Sequence, residues 1–414
     1  MTSESLFTVA LGLMPPWQVL DIQFDPEKGR IDFKVGFASG AKFTCPHCQE
    51  PEQGVHDSRQ RTWRHLNFFQ YQAYIQADLP RIRCSRCGKT TQVIAPWSRP
   101  GSGFSLLMEA LLVLLARQMP VRAVAQMMGT HDGQIWRVLD HYVDAARQKE
   151  DFSPVERVGL DETASRRGHN YISLFHDLDR KRLLFACEGR DKSVVDAFVK
   201  DLAAHGGAAE NIHSVCIDMS KSYIAGVGEF LPDAEVTFDP FHVMAIVNNA
   251  VDLVRREEAK TEPLLKRTRY VWLRNEKNRT SKQQALFESL PKSRLKTARA
   301  WRIKTLLQEV YQQCRTMSEA EDALSRWYNW AIRCRLEPMK EAARTIRRHW
   351  QGILSWFDSH LNNGGVEGTN SMIQAAKARA RGYGTVRHLI TMAYLVAGKL
   401  THLPAPPFIT RCCG

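Results

Sequence analysis

Residues 157–175 read RVGLDETASRRGHNYISLF. An apolar run delivers Asp161 and Glu162, a basic patch with Arg166, Arg167 and His169 follows, and a second apolar run begins near Tyr171. Core packing alone does not ask a buried strand to end in two carboxylates beside positive charge. The chain that follows decides the fold. NYISLFHDL (170–178) and RLLFACEG (182–189) are strands separated by hairpin-length gaps. An amphipathic helix over Lys192–Ala204 comes next, then the strand HSVCID (213–218) and a short helix near Ser222. The strand AEVTFD (234–239) leads into a long helix at Pro240, where proline suits the first turn. Three meandering strands followed by alternating helix and strand predict a ribonuclease-H-like sheet.

In that order the first and fourth strands are neighbours. Asp161 and Asp218, each expected at a strand end, are then brought close. Glu367 follows Asn362-Asn363-Gly364-Gly365 and opens a helix expected over roughly 366–380. Three carboxylates repel one another unless a cation sits between them. Oxygen ligands select hard ions such as magnesium or manganese. Two such ions about 3.5–4 Å apart suit phosphodiester displacement. A lone Asp at a strand end is usually a turn or cap residue; the joint pattern in a basic chain is what favours metal. Asp161, Asp218 and Glu367 are therefore the expected catalytic ligands. Glu162 alternates to the other face and is expected behind them. Asp239 and His242, in Asp239-Pro240-Phe241-His242, lie at another strand end on the same edge, and could reach the metal, orient a basic partner or contact DNA near the cut.

With 414 residues the chain exceeds what one core usually supports. Its net charge is +13, and Lys260–Lys304 alone carries 14 Lys/Arg against three acids. A polyanion partner fits that excess, because each neutralised phosphate releases counterions; a solvated helix face is the plainer alternative. Tyr270, Trp272, Phe287 and Trp301 in this stretch could stack on bases, although packing accounts for most such residues. The longest apolar run, LLMEALLVLLA (106–116), contains Glu109 and is too short to span a bilayer. No secretory leader is read at the N-terminus. A cytoplasmic, nucleoid-associated protein is expected.

Cys45-Pro46-His47-Cys48 and Cys84-Ser85-Arg86-Cys87 form two Cys-x-x-Cys knuckles, four thiolates for one tetrahedral zinc. The alternating stretch between them predicts a β-hairpin, hence a zinc ribbon. His47 and His56 read as bystanders, and the other six cysteines show no ligand spacing. PWSRPGSG (96–103) has linker composition. Beyond it, Met119-Pro120 breaks a helix, and Gly129 separates two amphipathic helices, a helix-turn-helix by pattern. Asp132, Gln134 and Arg137 would open its second helix, where base edges are read. The expected organisation is multidomain α+β. It comprises a zinc-ribbon DNA-binding domain (1–97), a helix-turn-helix domain (98–150) and a ribonuclease-H-like α/β core (151–259 and 341–400). A basic helical insertion (260–340) interrupts the core, and a C-terminal tail (401–414) follows.

GLDETASRRGHNYISLFHDLDRKRLL, VCIDMSKSYIAGV, FDPFHVMAIVNNAVDLVRR and GGVEGTNSMIQAAKARARGYG together resemble the ISL3 family of bacterial insertion-sequence transposases. The resemblance runs over almost the whole chain. It implies a DDE transposase with Asp161, Asp218 and Glu367 as its triad, Asp239 and His242 as the aspartate and histidine of its FDPFHV motif, and Asn370 after the glutamate. Many DDE enzymes carry Lys or Arg seven residues after the glutamate; here that residue is Gln374, and Lys377 lies one turn further. The implied activity is metal-dependent cleavage at terminal inverted repeats, then strand transfer by the released 3′-hydroxyl into target DNA, by a homodimer or higher oligomer. Arg166, Arg167, Lys266, Arg267, Arg269, Arg379 and Arg381 are the expected DNA contacts. A nuclease that cuts without joining, and a repressor built on an inert fold, are the alternatives.

Overall fold

The computed structural model describes residues 2–166, 168, 170–361 and 364–407. Arg167, His169, Asn362, Asn363, Cys412 and Cys413 lie outside the described residues. The chain forms two compact units, Met1–Asp144 with His402–Gly414, and Ala145–Thr401.

The first unit opens with helix α1 (Ser3–Ala10), followed by strands β1 (Trp17–Asp25), β2 (Arg30–Phe37), β3 (Val55–Arg64), β4 (Gln72–Arg83) and β5 (Thr90–Gln92). They form one sheet in the order β1-β2-β4-β3, with β5 also on β4. The β3–β4 pair is the hairpin expected between the cysteine knuckles. The β1–β2 hairpin lies outside the sequence reading; it joins β4 in parallel through β2. Trp17, Trp63 and Trp97 are buried together, with Trp97 edge-on to the other two at 5.0 and 5.5 Å. Trp97 belongs to the stretch read as a linker. Burying its large ring outweighs the Pro/Gly composition around it, so PWSRPGSG is anchored at Trp97, Ser98 and Ser102.

Helices α2 (Leu106–Ala116), α3 (Val121–Met128) and α4 (Asp132–Arg147) complete this unit. Val121, Val124, Ala125 and Met128 of α3 and Ile135, Val138 and Leu139 of α4 are buried, as their spacing predicts. Gly129 ends α3 with φ 62°, a left-handed conformation that favours glycine in the turn between α3 and α4. Thr130 N donates to Ala125 O at 3.0 Å, closing the helix end.

Glu109 interrupts the apolar α2 for a structural reason. It is fully buried and accepts from Ser102 Oγ (2.6 Å), Tyr142 Oη (2.9 Å) and Arg99 Nε. Its carboxylate thus ties the 96–103 stretch and α4 to α2. Removing it leaves two hydroxyls and the half-buried Arg99 guanidinium without this partner, at about 1–3 kcal/mol for each buried group left unsatisfied. Glu109→Ala is expected to move the unfolding transition of this unit to markedly lower urea, followed by tryptophan fluorescence. Glu109→Gln, which keeps an acceptor, is expected to lose less. A Glu109→Ala midpoint equal to wild type would show that the network contributes nothing.

The second unit is built on β6 (Arg157–Ala164), β7 (Tyr171–Asp177), β8 (Arg182–Glu188), β9 (Ser214–Ile217) and β10 (Glu235–Phe238), in the order β10-β9-β6-β7-β8. β6, β9 and β10 are parallel; β7 runs antiparallel to β6, and β8 antiparallel to β7, so β7 alone opposes the other four. Helix α5 (Ser193–Ala204) stacks Phe198 on Phe175 of β7 at 4.4 Å, and α6 (Lys221–Phe230) follows β9. Ile172–Asp177 of β7 are all buried, so helices cover both faces of the sheet.

Helix α7 (Pro240–Glu258) leaves the sheet, with Asp239 capping it through Phe241 N at 2.7 Å. The basic segment folds as α8 (Arg269–Leu273), α9 (Ser281–Ser289) and α10 (Lys296–Gln313), followed by α11 (Met317–Ile332) and α12 (Glu337–Arg348). Its charge faces outward while its aromatics divide. Trp272 and Phe287 are buried and Trp301 is half-buried, whereas Tyr270 is 56% exposed between Arg269 and Arg274. Two buried charges brace the segment. Glu258 accepts from Lys296 N and Thr297 N, both at 2.7 Å, at the α10 N-terminus. Lys304 donates to the carbonyls of Trp272 (3.2 Å) and Leu273 (2.6 Å), and burial pulls its pKa down to about 8. One buried apolar cluster runs from Phe152 through this segment to Phe357.

The chain returns to the sheet through α13 (Trp350–Leu354), α14 (Trp356–Ser359), α15 (Gly364–Arg379) and α16 (Val386–Ala397). Helix α16 lies beyond what the sequence reading placed. Its Tyr394 hydroxyl accepts the Ala186 amide of β8 at 2.8 Å.

Candidate functional site

The parallel ladders set the heights of the acids. The last β6–β9 pair is Gly159↔Cys216 and the last β9–β10 pair is Ile217↔Phe238. Carried forward in the same register, Asp161 stands level with Asp218, and Asp218 with Asp239. β6 does not end at Asp161, as the sequence suggested, but runs to Ala164, because β7 continues to pair with it from Leu174 to Tyr171. Asp161 is therefore inside a strand that outlasts its parallel neighbour, and Glu162 is on the alternate face.

Asp161 Oδ1 accepts from Glu162 N at 2.8 Å, and Oδ2 accepts from Asn370 Nδ2 at 2.6 Å. Burial pushes the Asp161 carboxyl above its ordinary range; the carboxylates of Asp218 and Glu162 add to this, while the Glu162 amide and His242 oppose it. Glu162 is also raised, by burial first and by Asp218, against Arg190 at 3.9 Å. Asp218 Oδ1 accepts from Ser220 N at 2.9 Å at the start of α6. Asp239 is buried as the α7 cap, and His242 follows in the first turn, half-buried.

Glu367 is exposed in the first turn of α15. This helix is laid along β6 by three side chains on one stripe. Asn370 bonds Asp161, Gln374 bonds Thr163 Oγ1, and Lys377 Nζ donates to Ala164 O at 2.5 Å. Glu367 continues that stripe, three residues or roughly 4.5 Å of helix before Asn370. Among the described residues, the carboxylates do not close into a group whose ligand atoms all lie within 4.8 Å of one another; only Cys45, Cys48, Cys84 and Cys87 do. Two ions about 3.5–4 Å apart do not require that closeness, since acids can flank them from opposite sides. The donor chemistry fits a hard cation: like charges crowd at one strand edge, and Asn370 Oδ1 is buried with no hydrogen-bond partner among the described residues.

Sequence reasoning missed Tyr223. Its hydroxyl, 1% exposed, lies 2.9 Å from Ser173 Oγ and 3.5 Å from Glu162 Oε2, behind the acids. The only signal was its place in the helix that follows Asp218.

The four cysteines offer a second metal site. The Sγ atoms of Cys48 and Cys84 are 3.4 Å apart and those of Cys45 and Cys87 are 3.9 Å apart. Zinc–sulfur bonds of about 2.3 Å in a tetrahedron imply sulfur spacings of about 3.8 Å, so the set fits zinc. The knuckles repeat one geometry. Gln49 N donates to Cys45 O and Gly88 N to Cys84 O, each at 3.0 Å, with φ of 60° and 69° after the second cysteine. The His47 ring contacts Lys89.

Of the expected DNA contacts, Arg137, Lys266, Arg267, Arg269, Arg379 and Arg381 are exposed. Gln134 is half-buried, and its Oε1 accepts from Thr130 Oγ1 at 2.6 Å at the α4 start. Arg269 also pairs with Asp252 at 3.4 Å. Arg166, Lys377 and Arg381 line one cavity beside Gln374. No helix of the described residues is long and apolar enough to cross a membrane.

A family model described as a transposase matches residues 158–393. A second, the helix-turn-helix domain of transposase family ISL3, matches 93–143, and a third, the zinc-finger of transposase IS204/IS1001/IS1096/IS1165, matches 41–87. The chain is 28% identical to the transposase for insertion sequence element IS1557 of Mycobacterium tuberculosis, over 98% of each chain. It is likewise 28% identical to the transposase for IS1001 of Bordetella parapertussis, over 82% of this chain and 85% of that one.

Proposed function

The chain belongs to the ISL3 family of transposases, and we propose that it cuts and joins DNA at Asp161, Asp218 and Glu367, which hold one or two magnesium or manganese ions. Bound there, the ions supply activation of the attacking oxygen and charge stabilisation at the scissile phosphate. The chain's own residues do the positioning. Asn370 fixes the Asp161 carboxylate, and Ser220 N fixes that of Asp218. Asp239 starts α7 so that His242 faces the DNA near the cut. Glu162, held by Tyr223, stands behind the ligands, and Lys377 supplies positive charge near the strand end.

The observation that carries this reading is the shared height of Asp161 and Asp218 in the β6–β9 register, with the Glu367 stripe of α15 bonded to the same strand. The strand order, with β7 antiparallel between the parallel β10, β9 and β6 and the edge strand β8, supports a ribonuclease-H-like core over 151–259 and 341–400, interrupted by the basic helical insertion at 260–340. The ribbon (1–97), holding zinc, and the helix-turn-helix (98–150) recognise the terminal inverted repeats, with Arg137 and Gln134 at the base edges. Arg166, Lys266, Arg267, Arg269, Arg379 and Arg381 hold the backbone. The assembly on DNA is a homodimer or larger, and the protein works in the cytoplasm on the nucleoid.

The test is a joining assay. Purified protein, magnesium, a labelled duplex of the element's end and a supercoiled target plasmid are expected to give cut ends and then end–plasmid joints. Cutting without joints would make the protein a nuclease, and tight binding without cutting would make it a repressor.

A further inference from the structure

Helix α7 continues past His242 to form one wall of a cavity of about 670 Å³, closed by α8, the turn after it and α10. Phe241, 62% exposed, lies at one end. The carboxamides of Asn248 and Gln308, the guanidiniums of Arg269 and Arg274, and Tyr311 line the rest. The acid in the wall, Asp252, is neutralised by Arg255 at 2.7 Å and Arg269 at 3.4 Å, so Arg274 leaves the cavity positive. Two polar atoms of this wall, Asn248 Oδ1 and Tyr311 Oη, are buried without a hydrogen-bond partner among the described residues. Buried polar groups are nearly always paired. An open acceptor and an open donor in one lining suit a molecule that presents an N–H and an acceptor. The Tyr311 ring is fixed by stacking on Phe357 at 5.3 Å.

Volume, apolar floor, amides and a cation together match a nucleotide. Each DNA nucleotide brings a base with an N–H next to an acceptor and a flat face for Phe241, and a phosphate for Arg274. Position argues for DNA as the source: Phe241 of the lining adjoins His242 on the helix capped by Asp239. We propose that this cavity receives one unpaired nucleotide of the DNA end, with its base against Phe241 and its polar edge on Asn248 and Tyr311. The proposal rests on the DNA-cutting reading of the acids. Unpairing a base is costly, least for a mismatched one, and stacking on an aromatic ring offsets part of that cost.

The test is a binding scan with the full chain and end duplexes carrying, one position at a time, a mismatch or an abasic site, without magnesium so that no cutting intervenes. Wild type is expected to bind one or two mismatched positions about tenfold more tightly than the paired duplex, and more tightly than the abasic duplex at the same positions, because only the mismatch still offers a base. Phe241→Ala, at an exposed position that folding tolerates, and the conservative Tyr311→Phe are expected to erase the mismatch–abasic difference. A flat scan, or a scan unchanged in both variants, overturns the proposal. So does binding of free dAMP that leaves the DNA scan flat. Magnesium-dependent cutting of the fully paired duplex, measured separately, reports on the acids: cutting with a flat scan sinks the cavity alone, and no cutting sinks the reading beneath it.

Discussion

Asp218→Ala is expected to abolish strand cleavage, by about a thousandfold or more, while end binding stays within about twofold. A carboxylate that holds a catalytic cation contributes several kcal/mol to the barrier, and each 1.4 kcal/mol is tenfold in rate. The same side chain also accepts the Ser220 amide at 2.9 Å. Loss of one such local bond costs about 1 kcal/mol of stability, too little to unfold a unit with so extensive a core. Asp218→Asn separates the two roles, since its amide oxygen keeps that bond but brings no charge. Both variants are expected to be folded by circular dichroism and inactive on labelled ends. If Asp218→Ala cuts within tenfold of wild type, Asp218 is not part of the site and the matched heights on β6 and β9 are incidental.

The second large effect is at the thiols. Structural zinc contributes about 10–16 kcal/mol in small metal-folded domains, comparable to or greater than the whole stability of an ordinary domain, about 5–15 kcal/mol. Stripping zinc, or Cys84→Ser, is therefore expected to unfold the knuckle region. Affinity for the element's end should fall by about a hundredfold or more, which about 3 kcal/mol of lost contacts supplies. The sheet around Asp161 holds no part of this site and should melt as before in calorimetry. Metal content measured beside end binding decides the matter: zinc-free protein that still selects the end would remove the ribbon from DNA recognition.

Much of this was legible because periodicity and punctuation agree. The strands over 155–239 alternate or run apolar between turn residues, and Pro240 marks where α7 begins. Gly129 marked the helix-turn-helix turn, and the cysteine spacing marked the thiol site. What escaped was decided by contacts distant in sequence. Nothing near Glu109 announces that Arg99, Ser102 and Tyr142 will meet it, so a buried charge looked only like an interruption of an apolar run. Trp97 sits in linker composition but packs between two tryptophans that lie 80 and 34 residues before it. β6 outruns Asp161 because β7 keeps pairing with it, a property of the partner. The same holds at the site: Asp161 was readable as an acid after a strand, but its bond to Asn370 spans 209 residues.

The buried cluster that runs unbroken from Phe152 to Phe357 changes what the stretch between Asp218 and Glu367 means. Read along the gene, it interrupts the acids. In three dimensions there is no seam at which it could be lifted out: α7 and α10 turn the same oily interior inward that the sheet does. Evolution could lengthen or recharge its outer surface freely, yet could not delete it without baring the interior of the body that holds the acids.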